Sequence, residues 1–360
     1  NYMIQNYKIH QITDLGDTKL FTASVLPCII IFSIGHTKDK EKVGFTSVYQ
    51  EFSEVSNVPK ISNLFDAIYQ EGTYMVPDGR VYRYQQGSMQ SVELDNTWAI
   101  ASEENKHWIE QVQSRTWMTL ADIGKIRVGI KTTADNVFIG DDWSGEKSEL
   151  ELLQPLITHR NAGQIIANRQ DRWKVLYTHT MVDGKKVAYN IDNYPKSKAY
   201  LLTHFEQLNA RNYVKKANRK WYEIWVPQNP EAWKHRKIVF RDISEKPQFW
   251  LDDTGAIVNG DCYWIDINQD IVDDVVYLAL AVANSSFIEK FYDIKFNNKL
   301  YSGKRRYQTQ YVEQFPIPYY GSNEAKEAIT LVKKIIAEDT ERVSLDDKAK
   351  LDSLVEQMFS

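Results

Sequence analysis

The sequence predicts a mixed α+β fold divided into more than one unit, and three observations carry that expectation. The apolar run from Val25 to Phe32 reads as a strand covered on both faces of a sheet. From Thr119 to Ile265, short runs rich in Val, Ile and aromatic residues recur between turn residues, as strands do. Two charged amphipathic stretches, Glu324 to Glu341 and Ser344 to Phe359, close the chain as a helical hairpin. A chain of 360 residues is long enough for more than one core.

Composition narrows the function classes. No apolar run is long enough to span a bilayer, and Tyr2 to His10 lacks the features of a signal peptide, so a cytoplasmic protein is expected. Cys28 and Cys262 lie far apart and read as reduced thiols, and the 7 histidines lack paired ligand spacing, so no metal site is expected. The net charge of −4 argues against indiscriminate coating of nucleic acid. Its distribution is uneven: Ile157 to Trp250 carries 18 Lys or Arg against 8 Asp or Glu, leaving 26 against 40 elsewhere. A basic middle within an acidic envelope suits a DNA cleft whose outer faces repel DNA.

In order, Tyr2 to His10 reads as the end of a helix and Gln11 to Leu15 as a short strand, followed by a turn at Gly16-Asp17. Val43 to Phe52 reads as a strand, Lys60 to Gln70 as a helix, and Val81 through Val92 as a hairpin around Gly87. Glu103 to Ser114 has helical character, with Ser102 as N-cap. Further strands are expected at Trp173 to Tyr177, Val187 to Ile191, Ile238 to Arg241, Phe249 to Leu251 and Cys262 to Ile265, with a helix from Tyr194 to Leu208.

Two stretches stand out chemically. Arg211 to Lys220, with Lys215, Lys216, Arg219 and Lys220, is basic and flanked by Tyr213 and Trp221. From Tyr277, apolar residues through Phe291 recur at helical spacing, interrupted by Asn284-Ser285, where a polar contact or a break is expected. The loop that follows, Asn297 to Tyr307, holds Lys299, Lys304, Arg305, Arg306 and Tyr307, and the chain then reaches Phe315-Pro316-Ile317-Pro318. Such a loop suits phosphates and base edges, and it equally fits a solvated charged loop.

That succession of helix, basic loop and Phe-Pro-Ile-Pro strand resembles the end of a DNA target-recognition domain. Such domains occur in type I specificity subunits and, as the TaqI-like C-terminal specificity domain, in adenine-N6 DNA methyltransferases and type IIG restriction-modification enzymes. Gly129-Ile130-Lys131-Thr132 is similar to the opening of that domain, and Pro155 to Asn161 to its Pro-x-Leu/Ile-x-x-Arg-Asn segment. The resemblance implies that Lys131 and Thr132 hold a phosphate and that Arg160 and Asn161 contact bases or phosphates. A plain hairpin and an internal ion pair for Arg160 are the alternatives. Asp14-Leu15-Gly16 and the apolar strand after it resemble the late motifs of a gamma-class adenine-N6 methyltransferase. There Phe45 falls where relatives place an aromatic that stacks on the extruded base, and a core Phe is the other reading.

The resemblance implies this fold: C-terminal strands of a Rossmann-like methyltransferase sheet with a connector (1–115), a strand-rich recognition domain (116–320) and a terminal helical segment (321–360). It implies double-stranded DNA as partner and S-adenosylmethionine as cofactor of the complete enzyme. A glycine-rich cofactor turn and an Asn/Asp-Pro-Pro-aromatic element are not in the sequence, and Asn229-Pro230 continues as Glu231-Ala232. The chain is therefore expected to work with an N-terminal methyltransferase half, in the same polypeptide or a partner subunit, and to be inactive alone. Two rivals remain. Pro77-Asp78 with Glu104-Asn105-Lys106 fits a loose magnesium-nuclease pattern, and the terminal helices suit an interaction scaffold.

Overall fold

The computed structural model describes residues 2–16, 18, 20–21, 27–35, 43–51, 57–89, 103–168, 172–296, 304–338, 340 and 342–360. The chain forms two compact units, residues 1–114 with 289–306, and 115–288 with 307–360.

The first unit holds a five-stranded sheet in the order Cys28–Ile34, Tyr7–Asp14, Val43–Gln50, Val81–Met89, Gly72–Met75. Tyr7–Asp14 and Val43–Gln50 are parallel, and the other neighbours are antiparallel. Phe45 is buried with Ile9, Ile12 and Val43, so it is a core residue and is not placed to stack on a base. A second correction concerns the apolar strand. Its described part, Cys28–Ile34, is an exposed edge rather than a strand covered on both faces, and Val25 and Leu26 lie outside the described residues.

Gly87 does not turn the chain: Val81–Met89 runs straight through it, with Gly87 opposite Phe45. The hairpin forms earlier, at Asp78-Gly79, where Gly79 takes φ 84°. Residues 90–92 and Ser102 lie outside the described set. Where a helix was expected at Lys60 to Gln70 there are turns, because Asp66 accepts from the backbone N–H groups of Ser62 and Asn63 and offers the chain a non-helical partner. Glu103–Arg115 is helical as expected.

Antiparallel strands Phe249–Asp252, Lys237–Arg241, Cys262–Ile267 and Gly124–Val128 make one sheet of the second unit. Another runs Ile257–Val258, Leu153–Ile157, Lys174–Leu176, Ile139–Gly140, with the first pair parallel. Val239, Trp250 and Trp264 share one core with Trp233, whose ring lies 4.8 Å from Trp264. Large indoles with few competing rotamers suit such a junction.

Asp273–Ala283 is buried along almost its whole surface, as an element enclosed by its neighbours must be. It packs against Asn323–Glu338, which in turn packs on Leu345–Phe359. Ser344 caps the last helix by accepting from the Asp347 backbone at 3.0 Å, and Phe287 stacks on Phe359 at 4.3 Å. These helices belong to the second unit. Among the described residues no helix is long and apolar enough to cross a membrane.

Candidate nucleic-acid interface

The site begins where Gly124–Val128 ends. Gly129 passes so close to Asn259 that a Cβ would sit 2.1 Å from its carbonyl oxygen, which makes glycine obligatory there. The chain then docks on both sides. Ile130 donates to Val258 at 2.8 Å, and Lys131 and Val226 exchange two backbone hydrogen bonds at 3.0 Å. Lys131 is thereby held on a short bridge with its side chain exposed.

Thr132 is 1% exposed, its hydroxyl donating to Asp135 and accepting from the Ala134 N–H at 3.1 Å. Both bonds of that hydroxyl hold the turn that leads into the Asp135–Phe138 helix, so Thr132 serves the fold rather than a phosphate.

The basic segment is tied to this loop by Arg211, which donates to the Thr132 carbonyl. Lys215 and Lys216 are exposed at the end of the Asn212–Lys216 helix, and Arg219 and Lys220 follow on the exposed turn. Arg219 donates to the Trp225 carbonyl at 2.9 Å and lies 5.7 Å from the Tyr213 ring, which is itself 6.3 Å from the Trp225 ring. Lys220 sits 5.8 Å from the ring of Tyr222. Trp225, 43% exposed, lines a concavity of about 660 Å³ together with Lys131, Thr133, Asn136 and Asn259. Trp225 follows the cations of Arg211 to Lys220 closely in the chain, and an aromatic beside a cation cluster was the signal available in the sequence.

At the edge of this concavity Asp261 accepts from the backbone and ring of His159, the ring contact at 2.5 Å. Arg160 is exposed, its guanidinium 5.0 Å from the centre of the Trp173 ring. Asn161 differs: 8% exposed, it accepts from the Thr158 N–H at 2.9 Å and donates to the Asn168 carbonyl at 3.0 Å. Its amide closes the turn and is not available to read adenine.

The 297–307 loop divides similarly. Lys299 lies outside the described residues, while Lys304 and Arg306 are exposed in the first unit. Arg305 is clamped by both Asp293 oxygens at 2.7 Å, with Glu289 at 3.5 Å, and its side chain is 12% exposed. Tyr307 is fully buried in the second unit, its ring 6.1 Å from Phe249. Arg305 and Tyr307 are thus parts of the fold rather than contacts.

Residues for other chemistries do not assemble. Asp78 is held by Arg80, with Nε at 2.8 Å from its carboxylate, and among the described residues no group of His, Cys, Asp and Glu could hold a metal ion. At Gly16, φ 43°, a Cβ would meet the Val48 carbonyl at 2.7 Å and the Tyr49 ring at 2.8 Å, so this turn requires glycine.

Residues 180–317 match the TaqI-like C-terminal specificity domain. The chain is 36% identical over 348 residues to the type II methyltransferase M.BanIII of Aneurinibacillus aneurinilyticus, covering 93% of this chain and 60% of that protein. It is 25% identical over 367 residues to the type II methyltransferase M.BstVI of Geobacillus stearothermophilus, covering 99% of this chain and 60% of that protein. The chain therefore spans about 60% of the length of these relatives. A solved structure of the type IIL restriction-modification enzyme MmeI in complex with DNA shares the fold over 98% of this chain and 43% of its own, with a TM-score of 0.52 and 11% identity.

Proposed function

We propose that this chain, whose residues 180–317 match the TaqI-like C-terminal specificity domain and which is similar to type II methyltransferases, reads double-stranded DNA for an adenine-N6 methyltransferase of a restriction-modification system. The observation that carries the reading is that Lys131 and Trp225 line one concavity while Arg219 donates to the Trp225 carbonyl, with Lys215, Lys216 and Lys220 exposed on the same basic segment as Arg219. Cations there neutralise phosphates, and the exposed Arg160, beside the Trp173 ring, offers the bidentate donor pair that recognises guanine. Within the first unit, the exposed Lys304 and Arg306 suit phosphate contacts of their own.

Division of labour follows from the chemistry. Methylating an adenine amine inside a duplex requires extruding the base, and a separate lobe must hold the helix and choose which adenine leaves the stack. In this reading residues 1–115 are the last strands of a methyltransferase sheet and 116–320 the DNA reader. The cofactor and the catalytic residues belong to a methyltransferase module in the same polypeptide or a partner subunit, working in the cytoplasm.

The test is equilibrium binding of the 360-residue chain to short duplexes at several salt concentrations. Binding that weakens steeply with salt, with a log–log slope on the order of −4 or steeper, is expected. No binding at low ionic strength, or methylation by the chain alone, overturns the reading.

A further inference from the structure

Ile165 holds a backbone conformation that its own side chain opposes. Its φ is 69°, in the left-handed region where a Cβ crowds the backbone, and for a β-branched residue that is an outlier. It is 1% exposed and held on both sides: its N–H donates to the Phe249 carbonyl at 2.7 Å, and its carbonyl accepts from the Leu251 N–H at 3.3 Å. Ile165 is thereby bridged to Phe249–Asp252, the edge strand of its sheet. Strain of this kind persists only where the surroundings over-determine it, and it gathers at functional sites.

The residues around Ile165 supply that over-determination. Gln164 donates through Nε2 to the Pro247 carbonyl at 3.1 Å and to the Asn284 carbonyl at 3.4 Å. At Gly163 a Cβ would sit 2.2 Å from the Ile166 carbonyl oxygen, so the turn closes too tightly for any other residue. The ends of the segment are tied to each other: the Asn168 N–H donates to the Asn161 carbonyl at 2.9 Å, and the Asn161 amide donates to the Asn168 carbonyl at 3.0 Å. Residues 161–168 thus form a closed loop fastened at its middle to a sheet. Arg160 is the residue before it, with its N–H donating to the Thr158 hydroxyl at 3.2 Å. Joining Leu153–Ile157 to its antiparallel neighbour Lys174–Leu176 requires no strained residue.

We infer that Gln164 and Ile165 are positioning residues for Arg160: the strained loop fixes the backbone from which the Arg160 guanidinium reaches a base edge. The inference rests on the reading of this chain as a DNA reader. A bidentate contact to guanine demands a set position and orientation, whereas a phosphate accepts a cation from many directions. Fixing the loop before DNA arrives leaves less freedom to be lost on binding, and the benefit falls on discrimination rather than on general affinity.

A double-mutant cycle with Arg160 tests this. The parent chain selects its preferred duplex from a randomised pool, and affinities are measured for that duplex and its single substitutions. Gln164→Ala removes two fastenings of the loop, and Ile165→Gly removes the buried side chain and frees the backbone. Each is expected to lower discrimination by about ten-fold at the base pair that Arg160→Ala also relaxes, with the salt slope unchanged. In the Arg160→Ala background neither should lower it further. Discrimination that survives both variants, losses that add to that of Arg160→Ala, or a fall in affinity uniform over all duplexes overturns the inference and leaves DNA binding standing. If Ile165→Gly fails to fold, Gln164→Ala decides alone. A parent chain that binds no duplex removes the DNA reading and this inference with it.

Discussion

Arg211 donates through Nη1 to the Thr132 carbonyl at 3.0 Å, joining the loop that carries Lys131 to the segment that carries Lys215 to Lys220. Its other nitrogens donate to the carbonyls of Leu208 at 2.9 Å and Trp221 at 2.6 Å. The guanidinium is 9% exposed and burial lowers its pKa, but an arginine remains charged, so three carbonyls and two rings replace its lost water. Arg211→Met is expected to cost about 3 kcal/mol, because three buried acceptors lose their donor at once. Denaturant unfolding measures this, and an unchanged midpoint would show that the bridge is dispensable.

Exposed and engaged cations should separate in salt titrations. Lys131→Ala and Lys216→Ala are each expected to shallow the log–log slope of DNA binding by about 1, with affinity reduced similarly on every sequence. Arg305→Ala should leave the slope unchanged and lower stability, since its charge is held by Asp293 and Glu289. Equal slope changes for Lys131 and Arg305 would contradict this assignment.

Arg160→Ala is expected to behave differently from the lysines. A planar donor fork resting on Trp173 suits recognition of one base pair, worth about 1–3 kcal/mol. Its loss should relax preference at one position of the site, read by competition among single-substitution duplexes. A uniform loss over all duplexes would make Arg160 a phosphate contact.

Charge type and local pattern were legible in the sequence, whereas partnership was not. The density of cations between Ile157 and Trp250 was visible, and so was the Asn284 break, as amide and hydroxyl inside an apolar helix. Thr132 and Asn161 look like ligands in sequence because short polar side chains serve caps and contacts alike; a hydrogen bond to Asp135 or Asn168 decides between them. Arg305 and Arg306 are adjacent, yet a carboxylate pair that turns only one of them inward is set by helix geometry around Asp293. The apolar run at Cys28–Ile34 correctly reads as a strand, but burial depends on neighbours and no periodicity specifies them.

His179 links stability to acid. Burial lowers its pKa from 6.5 to about 3, with Lys186 and Arg219 acting in the same direction. Glu223 at 3.8 Å opposes this, but its carboxylate already accepts from the Lys220 N–H at 3.0 Å, and burial prevails. Because the folded pKa lies below the unfolded value, the contribution is complete above pH 6.5 and is lost as pH falls towards 3. The loss is at most about 1.4 kcal/mol per pH unit. His179→Gln should flatten unfolding free energy between pH 6.5 and pH 5 relative to the parent. Parallel profiles would place the acid sensitivity elsewhere.

Asn284 replaces a strand at the edge of a sheet. Its Oδ1 accepts from the Phe249 N–H at 2.9 Å, and its Nδ2 donates to the carbonyls of Phe249 and Leu280, both at 2.8 Å. The side-chain amide thus presents Phe249 with the donor and acceptor of a neighbouring backbone, in the place where Asp273–Ala283 ends. Leucine in that position has similar bulk and no polar atoms, so Asn284→Leu leaves a buried N–H and C=O without this partner. About 3 kcal/mol of stability should be lost, a fall in Tm of roughly 5–10 °C. Asn284→Asp should also destabilise, because a carboxylate accepts from Phe249 but has no proton for its carbonyl or that of Leu280. If the aspartate and leucine variants both melt with the parent, the amide does not organise this junction, and the helix break has another cause.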